Sequence, residues 1–281
     1  MTQDYRGQKI ALLTQHGKEQ VIAPVLEPAL GCSVQLVSHF DTDQLGTFTR
    51  DIPRPGSQLE AARRKARKGM ELSGLPIGLA SEGSFTPDPL TGLFPWNVEL
   101  LVLIDELRGI EIVGMAQGEA QSGHLLAGDW EAVEDFARAE DFPAHQLVLR
   151  PQDQDAPRLH KGIADWDRLR SCFEDCKAQA DNGLVFIETD LRAFANPTRM
   201  SRIGDAAADL LRRLQSRCPE CDQPGYWVTE RQAGLPCSAC GEPTSIYRAE
   251  VWQCPACAHR AVVPRSDRTS VGPQHCQHCN P

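Results

Sequence analysis

Eight of the eleven cysteines fall in four Cys-x-x-Cys pairs within the last 64 residues: Cys218/Cys221, Cys237/Cys240, Cys254/Cys257 and Cys276/Cys279. Two thiolates on one tight knuckle can face a single ion, and a second knuckle completes the tetrahedral four-sulfur shell that zinc prefers. Four knuckles therefore predict two structural Zn²⁺ ions. The gaps between successive knuckles are 15, 13 and 18 residues. Sequential pairing, first with second and third with fourth, fits ribbon spacing, while an interleaved pairing stays open because spacing alone does not exclude it. His259, His275 and His278 are surplus to such shells.

The same cysteines would form disulfides only in an oxidising compartment, usually in a short secreted chain. The N-terminal MTQDYRGQKIALL carries Asp4 early and only a short apolar run, too little for a signal-peptide core. No stretch is long and apolar enough to span a membrane. The expectation is a cytoplasmic zinc protein with no membrane partner.

Zinc ribbons serve as nucleic-acid readers or as structural staples, and charge helps to decide. From Arg217 to Pro281 six arginines face six acids, and eight thiolates on two divalent ions add four negative charges. Phosphate backbones need clustered Lys and Arg, so DNA or RNA binding is disfavoured. Tyr226, Trp227, Tyr247 and Trp252 suit a mini-core. A structural or protein-docking role is expected for this module. The net charge of −9 argues the same way for the whole chain, and 41% hydrophobic residues suffice for an ordinary core. Residues 1–215 read as one α/β domain and 216–281 as a double zinc-ribbon domain. No internal repeat is read apart from the knuckles.

Near the N-terminus, Ile10 to Leu13 reads as a buried strand, Glu19 to Leu30 as a helix and Ser33 to Val37 as a second strand. The loop Thr14-Gln15-His16-Gly17-Lys18 enters the helix, where free backbone N–H groups and Lys18 suit an anion. Ser57 to Leu72 reads as a helix with Ser57 and Glu60 placed for a capping box. Its run Arg63, Arg64, Lys65, Arg67, Lys68 is either a solvated face or a phosphate-facing one. Leu75 to Ala80 reads as a strand ending at Ser81-Glu82-Gly83-Ser84, followed by a loop through FTPDPLTGLFPWN. A carboxylate at a strand end beside glycine suits Mg²⁺.

Further on, Gly183 to Glu188 reads as a strand and Ile203 to Leu214 as a helix. Arg192, Asn196, Arg199 and Arg202 stand between them as candidate anion-binding residues. The competing expectation pairs these arginines with Asp190, Asp205 and Asp209. Cys172 and Cys176, four apart on a helix from Asp165 to Ala180, read as core thiols.

The order of elements over roughly the first 125 residues resembles the inosine-triphosphate-pyrophosphatase-like superfamily, including its inosine/xanthosine triphosphatase branch. Glu60-Ala61-Ala62-Arg63-Arg64-Lys65-Ala66 is similar to that superfamily's Glu-Asn-Ala-x-x-Lys-Ala, and Glu82-Gly83-Ser84 to the Glu-Gly-Gly of the branch. The first loop is one residue shorter than the superfamily's Thr-x-Asn-x-x-Lys, with His16 where Asn would lie, and Pro197-Thr198-Arg199 shares only Arg with its Ser-His-Arg loop. The resemblance implies a mixed sheet with flanking helices and a Mg²⁺-dependent attack of water on a nucleoside triphosphate. Glu60 and Glu82 would hold metal and orient water, with Asp88 and Asp105 in reserve. Thr14, His16, Lys18, Lys65, Arg192, Asn196, Arg199 and Arg202 would contact the substrate. The alternative is a non-catalytic zinc protein that binds a nucleotide, another phosphorylated small molecule or a protein partner. Convergence of Glu60 and Glu82 near Lys18 would favour hydrolysis, and carboxylates engaged in caps or surface pairs would favour binding. The tail, ending Cys279-Asn280-Pro281, also resembles that of a bacterial family of uncharacterised proteins.

Overall fold

The computed structural model describes residues 5–38 and 56–281; Asp4, used above against a leader, lies outside them. No helix among these residues is long and apolar enough to cross a membrane. The chain divides into two compact units, Met1–Leu107 with Val113–Leu211, and Arg108–Ile112 with Arg212–Pro281.

The first unit begins β1 (Lys9–Leu13), α1 (Glu19–Leu30), β2 (Ser33–Val37), α2 (Gln58–Ser73), β3 (Ile77–Pro87), β4 (Pro95–Asp105) and β5 (Ile110–Glu119). These strands form one mixed sheet in the order β2-β1-β3-β4-β5, parallel from β2 to β3 and antiparallel between β3 and β4. β1 is apolar because both faces are covered, Ile10 to Leu13 being buried. Small residues on α2, Ala62 and Ala66, let it lie close on Ala80 and Val102 of the sheet. Ser57 caps α2 with a complete capping box through Glu60, as its spacing predicts.

The expected turn at Ser81-Glu82-Gly83-Ser84 is corrected: β3 runs on to Pro87, paired without a break from Ile77↔Asp105 to Pro87↔Pro95. The polar segment stays in the strand because β4 supplies its backbone partners and buried ions supply its side-chain partners.

The remainder of the unit is β6 (His124–Ala127), α3 (Trp130–Ala139), β7 (Leu147–Pro151), β8 (His160–Ile163), α4 (Trp166–Gln179) and β9 (Val185–Thr189), then α5 (Pro197–Gln215). The sheet order is β6-β9-β7-β8 with every neighbour antiparallel. The expectation of no further repeat is corrected here. β6-α3-β7 and β8-α4-β9 follow one plan, each with one strand of the other lying between its own two. Both helices are N-capped by Asp and begin with Trp, Asp129-Trp130 and Asp165-Trp166. Few residues match, so only the interleaved strands make the repeat visible. Val133, Phe142, Leu149, Leu169, Phe173, Cys172 and Cys176 share its core. Burial pushes the Cys176 thiol up to about 12, in keeping with the core role expected of it.

The second unit carries an antiparallel sheet of β10 (Trp227–Ala233), β11 (Tyr247–Gln253) and β12 (Arg260–Pro264), in that order. Tyr226 and Trp227 both lie against Trp252, the expected aromatic mini-core.

Candidate functional site

The eight knuckle cysteines gather into two groups of four, Cys218/Cys221/Cys254/Cys257 and Cys237/Cys240/Cys276/Cys279, each able to hold a metal ion. A tetrahedral shell with Zn–S bonds of about 2.3 Å puts its sulfurs about 3.8 Å apart. The Sγ–Sγ separations are 3.7 Å for Cys218–Cys257 and Cys221–Cys254, 3.9 Å for Cys237–Cys279 and 3.6 Å for Cys240–Cys276. The donor set therefore fits zinc in chemistry and in size. The residue after the second cysteine turns left-handed in three knuckles, at Asp222, Gly241 and Ala258, which closes the tight turn. Backbone N–H groups of Ala239 and Cys240 draw the Cys237 thiol down to about 7, towards the thiolate that a metal needs.

The pairing is interleaved, first knuckle with third and second with fourth, and sequential pairing is corrected. The reason is strand direction. Trp227 at the start of β10 pairs with Gln253 at the end of β11, while Ala233 pairs with Tyr247, so the first and third knuckles share one end of the sheet. The second knuckle lies at the other end, where Ser238 N–H donates to Val271 O and Val271 N–H to Pro236 O on the approach to the fourth. The seven residues of β11 carry the chain about 24 Å between second and third knuckles. In the same sheet Arg231 pairs with Glu250 and Arg260 with Glu230.

The first unit carries a buried charged cluster where the β1–α1 loop meets β3 and β4. Lys18, 6% exposed, donates its ammonium to Ser81 O at 3.0 Å and Ser81 Oγ at 3.4 Å. No carboxylate among the described residues lies within ion-pair distance of it. Burial, then the Arg199 charge, lowers its pKa to about 7 against the pull of Glu99 and Glu82. His16 is pushed down to about 3, by burial first and then by Lys18, Arg199, Lys65 and Arg192. Those four cations and His16 therefore share one field.

Strand pleating sorts the acids. Ser81, Gly83 and Phe85 alternate onto one face of β3, and Glu99, opposite Gly83 in register, joins them from β4. There Arg199 Nε meets Glu99 Oε1 at 2.7 Å, and Asn97 Nδ2 donates to the same oxygen at 3.1 Å. Gly83 is required for this pair. A Cβ there would stand 2.1 Å from Glu99 Oε1 and 2.7 Å from Arg199 Nη2. On the other face Glu82 pairs with Lys65 of α2, and Gln58 donates to Glu82 O and Val98 O at 2.7 and 2.8 Å.

The cluster thus joins His16, Lys18, Lys65, Glu82 and Arg199 of the expected site. Glu60 is not among them. Its carboxylate, exposed at the N-terminus of α2, accepts the Ser57 N–H at 2.7 Å and the Ser57 Oγ–H at 3.0 Å, so the expected convergence with Glu82 is corrected. Glu60 lies two positions from Gln58 and five from Lys65, on the flank of the helix rather than its sheet face. Thr14 is buried and its Oγ1 accepts the His16 N–H, bracing the loop. Asn196 caps α5, accepting the Arg199 N–H at 2.9 Å. With Pro197 in its first turn, that helix starts six residues before Ile203. Arg192 pairs with buried Asp190 and lies over the Phe194 ring, and Arg202 reaches Asp205 at 3.4 Å. Asp209 instead accepts the Met115 N–H.

Asp88, the first reserve carboxylate, organises the β3–β4 turn. N–H groups from Thr91, Phe94, Leu90 and Leu93 and the Thr91 hydroxyl converge on it and hold it well below the usual carboxylate range. Sequence reasoning missed Glu99, since β4 begins inside the stretch read as a loop; Asn97 and Glu99 alternating with apolar residues were the available signal.

Glu82 and Glu99 each hold a cation in place, and the two cysteine groups are the only sets of three or more metal-ligating side chains among the described residues. These carboxylates do not form a ready cage for Mg²⁺.

No curated protein matches the chain in sequence. Residues 65–281, from within α2 through both cysteine groups, match a family described as a domain of unknown function, DUF6671, and the chain belongs to that family.

Proposed function

We propose that the first unit binds a phosphorylated small molecule at the Lys18 cluster, and that each four-cysteine group holds a structural zinc ion in the second. The observation that carries the binding reading is the surplus cation. Lys65, Arg199 and Arg192 are matched by Glu82, Glu99 and Asp190, whereas Lys18 is buried with only Ser81 oxygens as acceptors. A buried unmatched ammonium costs free energy that an incoming phosphate recovers. Helix α1 opens at Lys18 with no side-chain cap, and its Gln20 and Val21 N–H groups turn back on Gly17 O and Lys18 O, so the Lys18 ammonium rather than the helix end carries the anion-binding reading. The zinc reading rests on four sulfurs per group at tetrahedral spacing. Balanced Arg–Glu pairs on the ribbon sheet support a structural or protein-docking role over nucleic-acid binding.

A nucleotide is the first ligand to test, on the resemblance of the Glu60–Ala66 and Glu82–Ser84 segments to nucleoside triphosphate pyrophosphatases. Hydrolysis with Mg²⁺ is the second reading, on the same resemblance, with Glu82 as its carboxylate; Glu99, on the opposite face of the sheet, is held by Arg199 and does not converge with it. It requires Glu82 to exchange Lys65 for the metal.

Calorimetric titration of the zinc-loaded protein with inorganic pyrophosphate tests binding, with Lys18→Met as comparison. Heat of binding in the parent and a loss of at least tenfold in affinity in the variant are expected. No binding by the parent overturns the reading. Pyrophosphate release from a panel of nucleoside triphosphates with Mg²⁺, abolished by Glu82→Gln, would move the assignment to hydrolysis.

A further inference from the structure

Ser81, Gly83, Phe85 and Pro87 follow one another along a single face of β3, opposite Leu101, Glu99, Asn97 and Pro95 of β4. The character of that face changes along its length. At Ser81 and Gly83 it carries Lys18, Glu99 and Arg199. At Phe85 it turns apolar, with the Arg199 guanidinium 5.8 Å from the Phe85 ring centroid. Beyond it lies a surface cavity of about 300 Å³ whose lining includes Phe85, Leu93, Phe94, Pro95 and Ser122. Four residues at about 3.4 Å each separate Ser81 from Phe85, so the cation cluster and the cavity stand about 14 Å apart on one track.

Leu93 and Phe94 are 78% and 54% exposed, yet the Asp88 carboxylate holds their N–H groups in place. Large apolar side chains fixed in water by a rigid turn suit a partner surface better than a core. The cavity volume falls at the lower end of the range for small-molecule sites, with largely apolar walls and two hydroxyl residues, Thr86 and Ser122.

We infer that the cavity beside Phe85 takes the aromatic ring system of a ligand whose phosphates lie at Lys18, so that the ligand is a nucleotide rather than a sugar phosphate or free phosphate. This rests on the phosphate-binding reading and adds the ring subsite. Phe85 and Phe94 supply faces or edges for the ring, Leu93 and Pro95 apolar walls, and Ser122 a polar contact.

The test compares affinities of the zinc-loaded protein for inorganic pyrophosphate, ribose 5-phosphate and the common ribonucleoside triphosphates by equilibrium dialysis. The parent protein is expected to hold at least one triphosphate ten times more tightly than pyrophosphate. Phe85→Ala is expected to remove that advantage while leaving pyrophosphate affinity within twofold. Leu93→Ser, at an exposed position that cannot endanger folding, should reduce the advantage in the same direction. Equal affinity for pyrophosphate and triphosphates in the parent overturns the ring subsite alone. So does a Phe85→Ala loss shared equally by both ligands, which would place Phe85 as a support for Arg199. No binding by any of these probes overturns the phosphate reading, and the ring subsite with it.

Discussion

Arg199 Nε lies 2.7 Å from Glu99 Oε1, with the two side chains 1% and 0% exposed, and the strand beneath them carries glycine at position 83. An ion pair so deeply buried is held by geometry rather than by net Coulombic gain, because desolvation offsets most of the attraction. Removing one partner leaves a buried charge uncompensated. Arg199→Met and Glu99→Leu should each destabilise the protein by about 3–5 kcal/mol, and the double variant by less than their sum. Urea denaturation of the four proteins closes the cycle; strict additivity would show that the two side chains do not act as a unit.

Gly83→Ala should act through the same pair. The added methyl meets Glu99 and Arg199 inside normal contact distance, and relieving it costs about 1–3 kcal/mol with loss of pyrophosphate affinity. A variant with parent stability and affinity would mean that the pair repacks freely.

Lys18 makes stability depend on pH in a stated direction. Its pKa falls from 10.5 unfolded to about 7 folded, so between those values the unfolded chain holds more protons and stability rises as pH rises. Below about pH 7 the full cost is present. The shift corresponds to about 5 kcal/mol, of which the lost Ser81 hydrogen bonds return about 1–3 kcal/mol. Lys18→Met should therefore be the more stable protein at pH 6, by about 2 kcal/mol or more, with the difference shrinking towards pH 10. Pyrophosphate affinity of the parent should weaken as pH rises above 7 in the same series. His16, held at about 3 in the folded protein, stays neutral there, but its unfolded imidazole takes up a proton as pH falls through 6.5, so it adds a smaller rise of stability with pH at the acid end of the series. A Lys18→Met protein less stable than the parent at pH 6 would refute the buried-charge account.

Metal content distinguishes the pairings of the knuckles. The parent should hold two zinc ions per chain, measured by plasma mass spectrometry. Cys218→Ser with Cys257→Ser should leave one ion, because both changes fall in one group. Cys218→Ser with Cys237→Ser should leave none, because they fall in different groups. Sequential pairing gives the reverse result.

Glu60→Ala should lower the melting temperature by a few degrees through loss of the capping box, with pyrophosphate affinity unchanged. Loss of affinity at unchanged stability would return Glu60 to the site.

Local chemistry was legible in the sequence. The knuckles, the capping box at Ser57 and Glu60, and the spans of α1 and β2 depend on residues within a few positions of one another. Hydrophobic period and cap spacing report such neighbours directly. The tertiary structure decided what lies far apart along the chain. It paired the first knuckle with the third because antiparallel strands return the chain to the end it left. Register between β3 and β4 carried Glu82 past its expected turn and set Glu99 opposite Gly83. Arg199, a hundred positions from Glu99, became its partner because α5 starts early at Asn196 and Pro197. The Asp-Trp repeat emerged only when each β-α-β segment placed a strand inside the other. Strand pairing and burial are non-local choices, fixed by which faces can be covered and which charges matched, and no window of sequence contains both partners.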